Sequence, residues 1–142
     1  ACMIDVDTGK DYISLSDQMG PPGEHDEIVT LITALDQYKD KLDQPLQISW
    51  EAANTEPSCL GISPGDPISI REAAGMMVVS GNDAAVAVAQ TLGGSVAGYA
   101  EKMNQEAVKM GATHTNFVNP NGFDGSPPSH DGHRYAKMAP TA

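Results

Sequence analysis

Ser80, Gly81 and Asn82 stand between two runs that read as helices, and a hydroxyl and an amide on so short a turn are groups that can do chemistry. A serine hydroxyl can relay a proton to a reacting group, and an asparagine amide can hold a peptide backbone through its donor and its acceptor. The same two residue types also cap helices, because their short side chains accept from the free N–H groups of a first turn. In isolation, capping explains Ser80 and Asn82 as well as catalysis does.

Two other clusters gather acids and imidazoles: Glu24-His25-Asp26-Glu27, and His130-Asp131-Gly132-His133. Histidine nitrogen and carboxylate oxygen together can hold Zn²⁺ in a tetrahedral shell. Neither cluster has the spacing of a recognised metal motif such as His-Glu-x-x-His. The first fits the opening turn of a helix, where acids complement the macrodipole. No metal and no cofactor is assigned on this pattern. Cys2 and Cys59 are too few for a disulfide framework or a cysteine metal site, and can be free or paired. Met76, Met77, Met103 and Met110 fall at core-like helical positions and read as gap-fillers. Trp50 offers a face for stacking a sugar, but reads more simply as a half-buried anchor of a short strand. His114, in Thr113-His114-Thr115, reads as a surface residue.

The elements that must position these groups follow from local pattern. Cys2–Val6 and Asp11–Leu15 flank Asp7-Thr8-Gly9-Lys10 and predict a β-hairpin. After the break at Gly20-Pro21-Pro22-Gly23, the residues 24–37 carry Ile28, Leu31, Ile32 and Leu35 on one face of a helix. Prolines at 45, 57, 64 and 67 make 44–69 irregular, with a short strand over Leu46–Trp50. Ser69 and Glu72 form a capping box before the apolar run Ala73–Val79, predicting a buried helix. A second helix runs from Asp83 to about Leu92 and closes at Gly93-Gly94; a third runs from Ser95 to Met110 and closes at Gly111. Residues 113–128 read as a loop, and 132–139 as the opening of one more helix. The fold class expected is α+β and mostly helical: an N-terminal β-hairpin plus a helical cluster in a single domain over 1–142.

A net charge of -11, with only 8 Lys and Arg spread over the chain, excludes nucleic acid as a partner, because phosphate binding needs clustered cations. The chain contains no apolar run of membrane-spanning length and no targeting segment.

The stretch from Ile68 through Ser80-Gly81-Asn82-Asp83-Ala84 to Ala89 resembles the helix, Ser-Gly-Asn motif and second helix of the penicillin-binding D-alanyl-D-alanine carboxypeptidases. The likeness continues through Met103-Asn104-Gln105-Glu106-Ala107 and Met110–Gly122, with Asn119-Pro120-Asn121-Gly122 at its end. Gly61–Asp66 and the opening hairpin also fall where that family has a glycine turn and its first strands. The resemblance implies the first part of a β-lactamase/DD-peptidase fold and a serine-type acyl transfer on peptides ending in D-Ala-D-Ala. In it a serine attacks, a lysine one helical turn on takes its proton, and β-lactams acylate the same serine. It further implies that Ser80 and Asn82 are catalytic, that Ser80, Gly81 and Asn82 bind substrate, and that Gly81 keeps the bend tight. The implied partner is a peptidoglycan stem peptide or a β-lactam, and the implied location is outside the cytoplasm.

Three departures qualify what the resemblance implies. Counting back from the Thr-rich helix at Ile28–Asp36 puts the nucleophile position at Glu24 and the lysine position at Glu27, and no Ser or Thr anywhere has Lys three residues on. The segment that reads Ser-Thr-Ala-Arg-Asp in relatives is His130-Asp131-Gly132-His133-Arg134 here. A Lys-Thr-Gly motif is absent, as are the strands expected to complete the sheet. The expected function is therefore a D-alanyl-D-alanine carboxypeptidase-like domain of stem-peptide processing, impaired in this chain. The alternatives are a non-catalytic or engineered scaffold that binds D-Ala-D-Ala peptides, or a metal site at the former cleft. An unpaired sheet edge would favour a homo-oligomer. Two carboxylates one turn apart at positions 24 and 27 would raise at least one pKa by repulsion and desolvation.

Overall fold

The computed structural model describes residues 2–4, 7–8, 11–14, 26–56, 58–113 and 115–122. Helix α4, Asn82–Gly93, is the axis of the core. From Asn82 to Ala89 it is buried on every side, and its small Ala and Val side chains let neighbouring backbones come close. Against it pack α1 (Asp26–Gln37), α2 (Trp50–Ala53), α3 (Ile70–Met77) and α5 (Val96–Lys109). A 3-10 turn at Lys39–Lys41 follows α1. The described residues are thus mostly helical. Two short strands, β1 (Cys2–Ile4) and β2 (Asp11–Ser14), pair antiparallel with Met3 opposite Ile13 and an irregularity between Met3 and Ile4.

Local signals account for the helix ends. Ser69 accepts from the Glu72 N–H at 3.2 Å while the Glu72 carboxylate accepts from the Ser69 N–H at 2.8 Å, the reciprocal pair that opens α3. The Ser69 N–H and then the Ser69 hydroxyl, both donating to the Glu72 carboxylate, hold that carboxyl below its ordinary pKa. Gly94 at φ 72° closes α4, and the Ser95 hydroxyl oxygen accepts from the Gly98 N–H to open α5. Between those two helices the backbones nearly touch: a Cβ on Gly93 would lie 2.6 Å from the Tyr99 nitrogen.

Tyr99 ties the bundle together. Fully buried, it stacks against Tyr38 at 6.2 Å between ring centroids, and its hydroxyl donates to the Thr30 carbonyl at 2.8 Å. The Thr30 hydroxyl donates in turn to the Pro120 carbonyl at 2.7 Å. Asn104 clamps Phe117 by donating to its carbonyl and accepting from its N–H, at 2.9 and 2.6 Å, so the loop at 115–122 is anchored from both α1 and α5.

Several expectations are corrected. The apolar stripe of α1 is not its buried face: Ile28 is 55% and Leu35 46% exposed, Ile32 is half-buried, and Leu31 reaches the core only from its edge. The buried side of α1 carries Asp26, Glu27, Thr30, Thr33 and Ala34. Periodicity shows which residues share a face but not which face meets a neighbour, and the threonines can be buried because their hydroxyls find carbonyls at Pro120 and Val29. No strand forms at 46–50. Leu46 continues from an isolated bridge of Pro45 with Ser69, and Trp50 opens α2 while 77% exposed, so it anchors nothing. Val78 and Val79, the end of the run expected to be buried, are exposed past the last turn of α3. Met77 and Met103 are core residues, Met76 is half-buried, and Met110 is exposed. The helix expected over 132–139 lies outside the described residues. Among those residues no helix is long and apolar enough to cross a membrane.

Candidate active site

The turn at residues 80–82 is built by the end of α3. The Ser80 N–H donates to the Met77 carbonyl at 3.0 Å and the Gly81 N–H to the Met76 carbonyl at 3.3 Å. These are the two bonds of a Schellman closure, whose left-handed residue is ordinarily glycine. Here that residue is Ser80, at φ 58°. A left-handed non-glycine costs roughly 1–2 kcal/mol, and such strain concentrates where function requires it. Gly81 is not the strained residue. It is a glycine for space, since a Cβ there would meet the Leu60 side chain at 2.8 Å and the Met76 carbonyl at 3.1 Å. The expectation that Gly81 keeps the bend tight thus becomes a statement about packing against Leu60, not about backbone freedom.

Asn82 opens α4 almost wholly buried. Its N–H donates to the Ser58 carbonyl at 2.8 Å, while its side-chain Oδ1 has no hydrogen-bond partner among the described residues. A buried, unpaired amide oxygen is costly and rare, and it leaves an acceptor available to a ligand's N–H. Asp83, fully buried, has one carboxylate oxygen accepting from the N–H groups of Leu60, Gly61 and Ile62 at 2.9, 3.0 and 3.3 Å, and the other accepting from Ala84 at 2.9 Å. The residues 58–62 are thereby seated on the Ser-Gly-Asn turn. The next turn, Ser63-Pro64-Gly65-Asp66, has Gly65 at φ 96° and the Asp66 carboxylate accepting from the Ser63 N–H at 2.7 Å. Cys59 is exposed on the same loop, its thiol donating to the Thr55 carbonyl; burial, then the charges of Asp83 and Glu56, hold its pKa above the usual thiol value.

Sequence reasoning missed the role of Asp83. As the second residue of α4 it reads as an ordinary first-turn acid, and nothing local announces a carboxylate shared among three amides more than twenty residues away.

Of the acidic cluster, Asp26 and Glu27 are buried in the first turn of α1, the helix that packs on α3 and α4. Glu24 and His25 lie outside the described residues, as do His114 and the segment His130-Asp131-Gly132-His133-Arg134. Among the described residues no group of three His, Cys, Asp or Glu is placed to hold a metal ion.

Relief of strain at Ser80 can be measured. Ser80→Gly should remove roughly 1–2 kcal/mol of left-handed strain and lose about 0.4–1 kcal/mol through a more flexible unfolded chain. Ser80→Ala keeps the strain and loses only the hydroxyl. Urea titration should therefore rank the glycine variant about 1 kcal/mol above the alanine variant; equal midpoints would show that Ser80 is not held strained.

The helical bundle built on α4, with Ser80 left-handed and Asn82 buried at one end, has solved counterparts. The profile of the D-alanyl-D-alanine carboxypeptidases, peptidase family S11, matches residues 3–135, and the chain belongs to that family. It is 34% identical over 128 residues to the D-alanyl-D-alanine carboxypeptidase DacF of Bacillus subtilis, covering 87% of this chain and 33% of that protein. It is also 34% identical over 127 residues to DacB2 of Mycobacterium tuberculosis, of which it covers 42%. The crystal structure of a D-alanyl-D-alanine carboxypeptidase from M. tuberculosis H37Rv superposes with a TM-score of 0.76 at 31% identity, over 87% of this chain and 47% of that one. DacD from Francisella tularensis superposes with a TM-score of 0.72 at 28% identity, over 95% and 33%. The chain thus spans between a third and a half of the length of these relatives.

Proposed function

We propose that this chain supplies the Ser-Gly-Asn side of a cleft that binds the acyl-D-Ala-D-Ala end of peptidoglycan stem peptides, and that it does so without forming an acyl-enzyme. The observation that carries this is the buried Oδ1 of Asn82, which lacks a hydrogen-bond partner among the described residues. A peptide backbone N–H is the donor that such an oxygen would take, and the Asn82 NH₂ group can donate to a peptide carbonyl. Ser80 would add a hydroxyl able to accept from or donate to the same ligand. Covalent chemistry is lacking because positions 24 and 27, where the family carries its nucleophilic serine and its lysine, hold glutamates. A carboxylate at position 27 cannot serve a neighbouring hydroxyl as the lysine does, and position 24 offers no hydroxyl.

The same assignment carries an α+β domain whose sheet extends beyond β1 and β2, and a place of action outside the cytoplasm.

Calorimetry with an acyl-D-Ala-D-Ala peptide tests the assignment. Saturable binding is expected without release of D-Ala, and Asn82→Ala should weaken it about tenfold or more, since a lost buried hydrogen bond costs about 1–3 kcal/mol. A fluorescent penicillin should leave no covalent label. Absence of saturable heat with folded protein would refute the binding role, and labelling with steady D-Ala release would replace it by an active enzyme.

A further inference from the structure

We infer that Asp83 is the positioning residue of the Ser80-Gly81-Asn82 turn, holding residues 58–62 as a wedge that keeps Ser80 left-handed and Asn82 buried. As a claim about ligand binding, this rests on the function proposed above; as a claim about the turn, it stands on geometry alone.

The wedge touches the turn at two points. The Ser58 carbonyl accepts from the Asn82 N–H at 2.8 Å, and the Leu60 side chain fills the space where Gly81 lacks a Cβ. The loop is anchored at its far end by Ile62, which is buried in the core, while Ser58 to Gly61 lie at or near the surface. The part that meets the turn is held by one carboxylate oxygen of Asp83, which takes the N–H groups of Leu60, Gly61 and Ile62 together, a charged acceptor satisfying three donors in a buried setting. Gly61, at φ 81°, lets three successive amides converge on that one atom.

A strained residue persists only when its surroundings overdetermine it. Ser80 is bound on its α3 side by the Schellman bonds and on its α4 side by the wedge. Without the Asp83 carboxylate, three N–H groups lose their acceptor and turn toward water. The Ser58 and Leu60 contacts then leave with the loop, and Asn82 becomes solvated. Asp83 touches no ligand in this arrangement and acts only through Ser80 and Asn82.

The test compares Asp83→Ala and Asp83→Asn with the wild-type chain. Asn keeps an acceptor oxygen for the loop amides but must turn its NH₂ toward the Ala84 N–H, so it should rescue partly. Three readouts apply: exchange of the Leu60, Gly61 and Ile62 amides, the side-chain amide resonances of Asn82, and alkylation of Cys59. In the alanine variant, loop exchange should quicken by about 10- to 100-fold while amides of Val88 and Met103 stay protected. The Asn82 resonances should move toward solvated positions, and the asparagine variant should fall between. Both substitutions remove the same charge from beside Cys59, so any difference in alkylation between them reads loop opening and not thiol pKa.

Unchanged Asn82 resonances and loop exchange in the alanine variant would overturn the inference. If that variant does not fold, the asparagine variant decides alone: intermediate loop exchange with shifted Asn82 signals supports positioning, and wild-type values for both refute it. Titration with an acyl-D-Ala-D-Ala peptide separates the two proposals. Failure of the wild-type chain to bind refutes the cleft while leaving the resonance test intact; binding that weakens from wild type to Asn to Ala supports both.

Discussion

Tyr99→Ala is expected to cost about 3–5 kcal/mol, the range for truncating a buried aromatic residue. Domains of this size hold about 5–15 kcal/mol in all, so a large share of the chain's stability would go. The ring is fully buried, stacked on Tyr38, and pressed against the α4–α5 junction so closely that Gly93 has no room for a Cβ. Its hydroxyl also donates to the Thr30 carbonyl across the α1–α5 boundary. Tyr99→Phe isolates that bond and should cost about 1–2 kcal/mol. Burial pushes the phenol pKa far above the usual tyrosine range, so the donor keeps its proton and the difference between the variants should not change between pH 5 and 9. Thermal melts followed by helical circular dichroism give both numbers. An alanine variant within 1 kcal/mol of wild type would show that the helices do not depend on Tyr99, and that the α1–α5 contact holds by other means.

The second large effect is chemical. Glu24→Ser with Glu27→Lys should give a slow, measurable covalent label from fluorescent penicillin, where the wild-type chain is expected to take none. Residues three apart share a helix face, so the pair would put a hydroxyl and an amine within reach of each other. Position 27 is buried, and burial lowers a lysine's pKa toward the range where a neutral amine can act as base. A positioned base contributes about 100- to 10,000-fold, so Glu24→Ser alone should label at least about 100-fold more slowly than the double variant. A folded double variant that stays unlabelled after long incubation would argue that positions 24 and 27 do not stand where the family's serine and lysine stand. Equal labelling by the single and double variants would argue that the lysine is not the base.

The helix boundaries were legible in the residues because each is decided by bonds a few positions long. Ser69 with Glu72, Gly94 with Ser95, and Gly111 after Met110 mark the ends of α3, α4 and α5 within a residue or two, since capping groups reach only the nearest turn. Family membership was legible for a different reason: Ser80 to Ala84, Asn104 and Asn119 to Gly122 keep their order and spacing whatever surrounds them.

What the chain did not announce locally depends on which surfaces meet. The Ile28–Leu35 stripe promised a core face, yet the bundle takes the threonine side of α1, because Pro120, Met103 and Tyr99 offer partners to Thr30 there. Trp50 carries the greatest apolar area of any single side chain and still lies exposed, since the short helix it opens turns Ala52 inward instead. At the site, residue types alone put the special backbone at Gly81. Tertiary contact moved the strain to Ser80, because Leu60 needs the space beside Gly81 and only the folded loop brings Leu60 there. The loop is in turn held by Asp83, through hydrogen bonds that close over more than twenty residues of chain. Capping and periodicity act over a few residues and do not reach both ends of those bonds, so only the tertiary structure could reveal them.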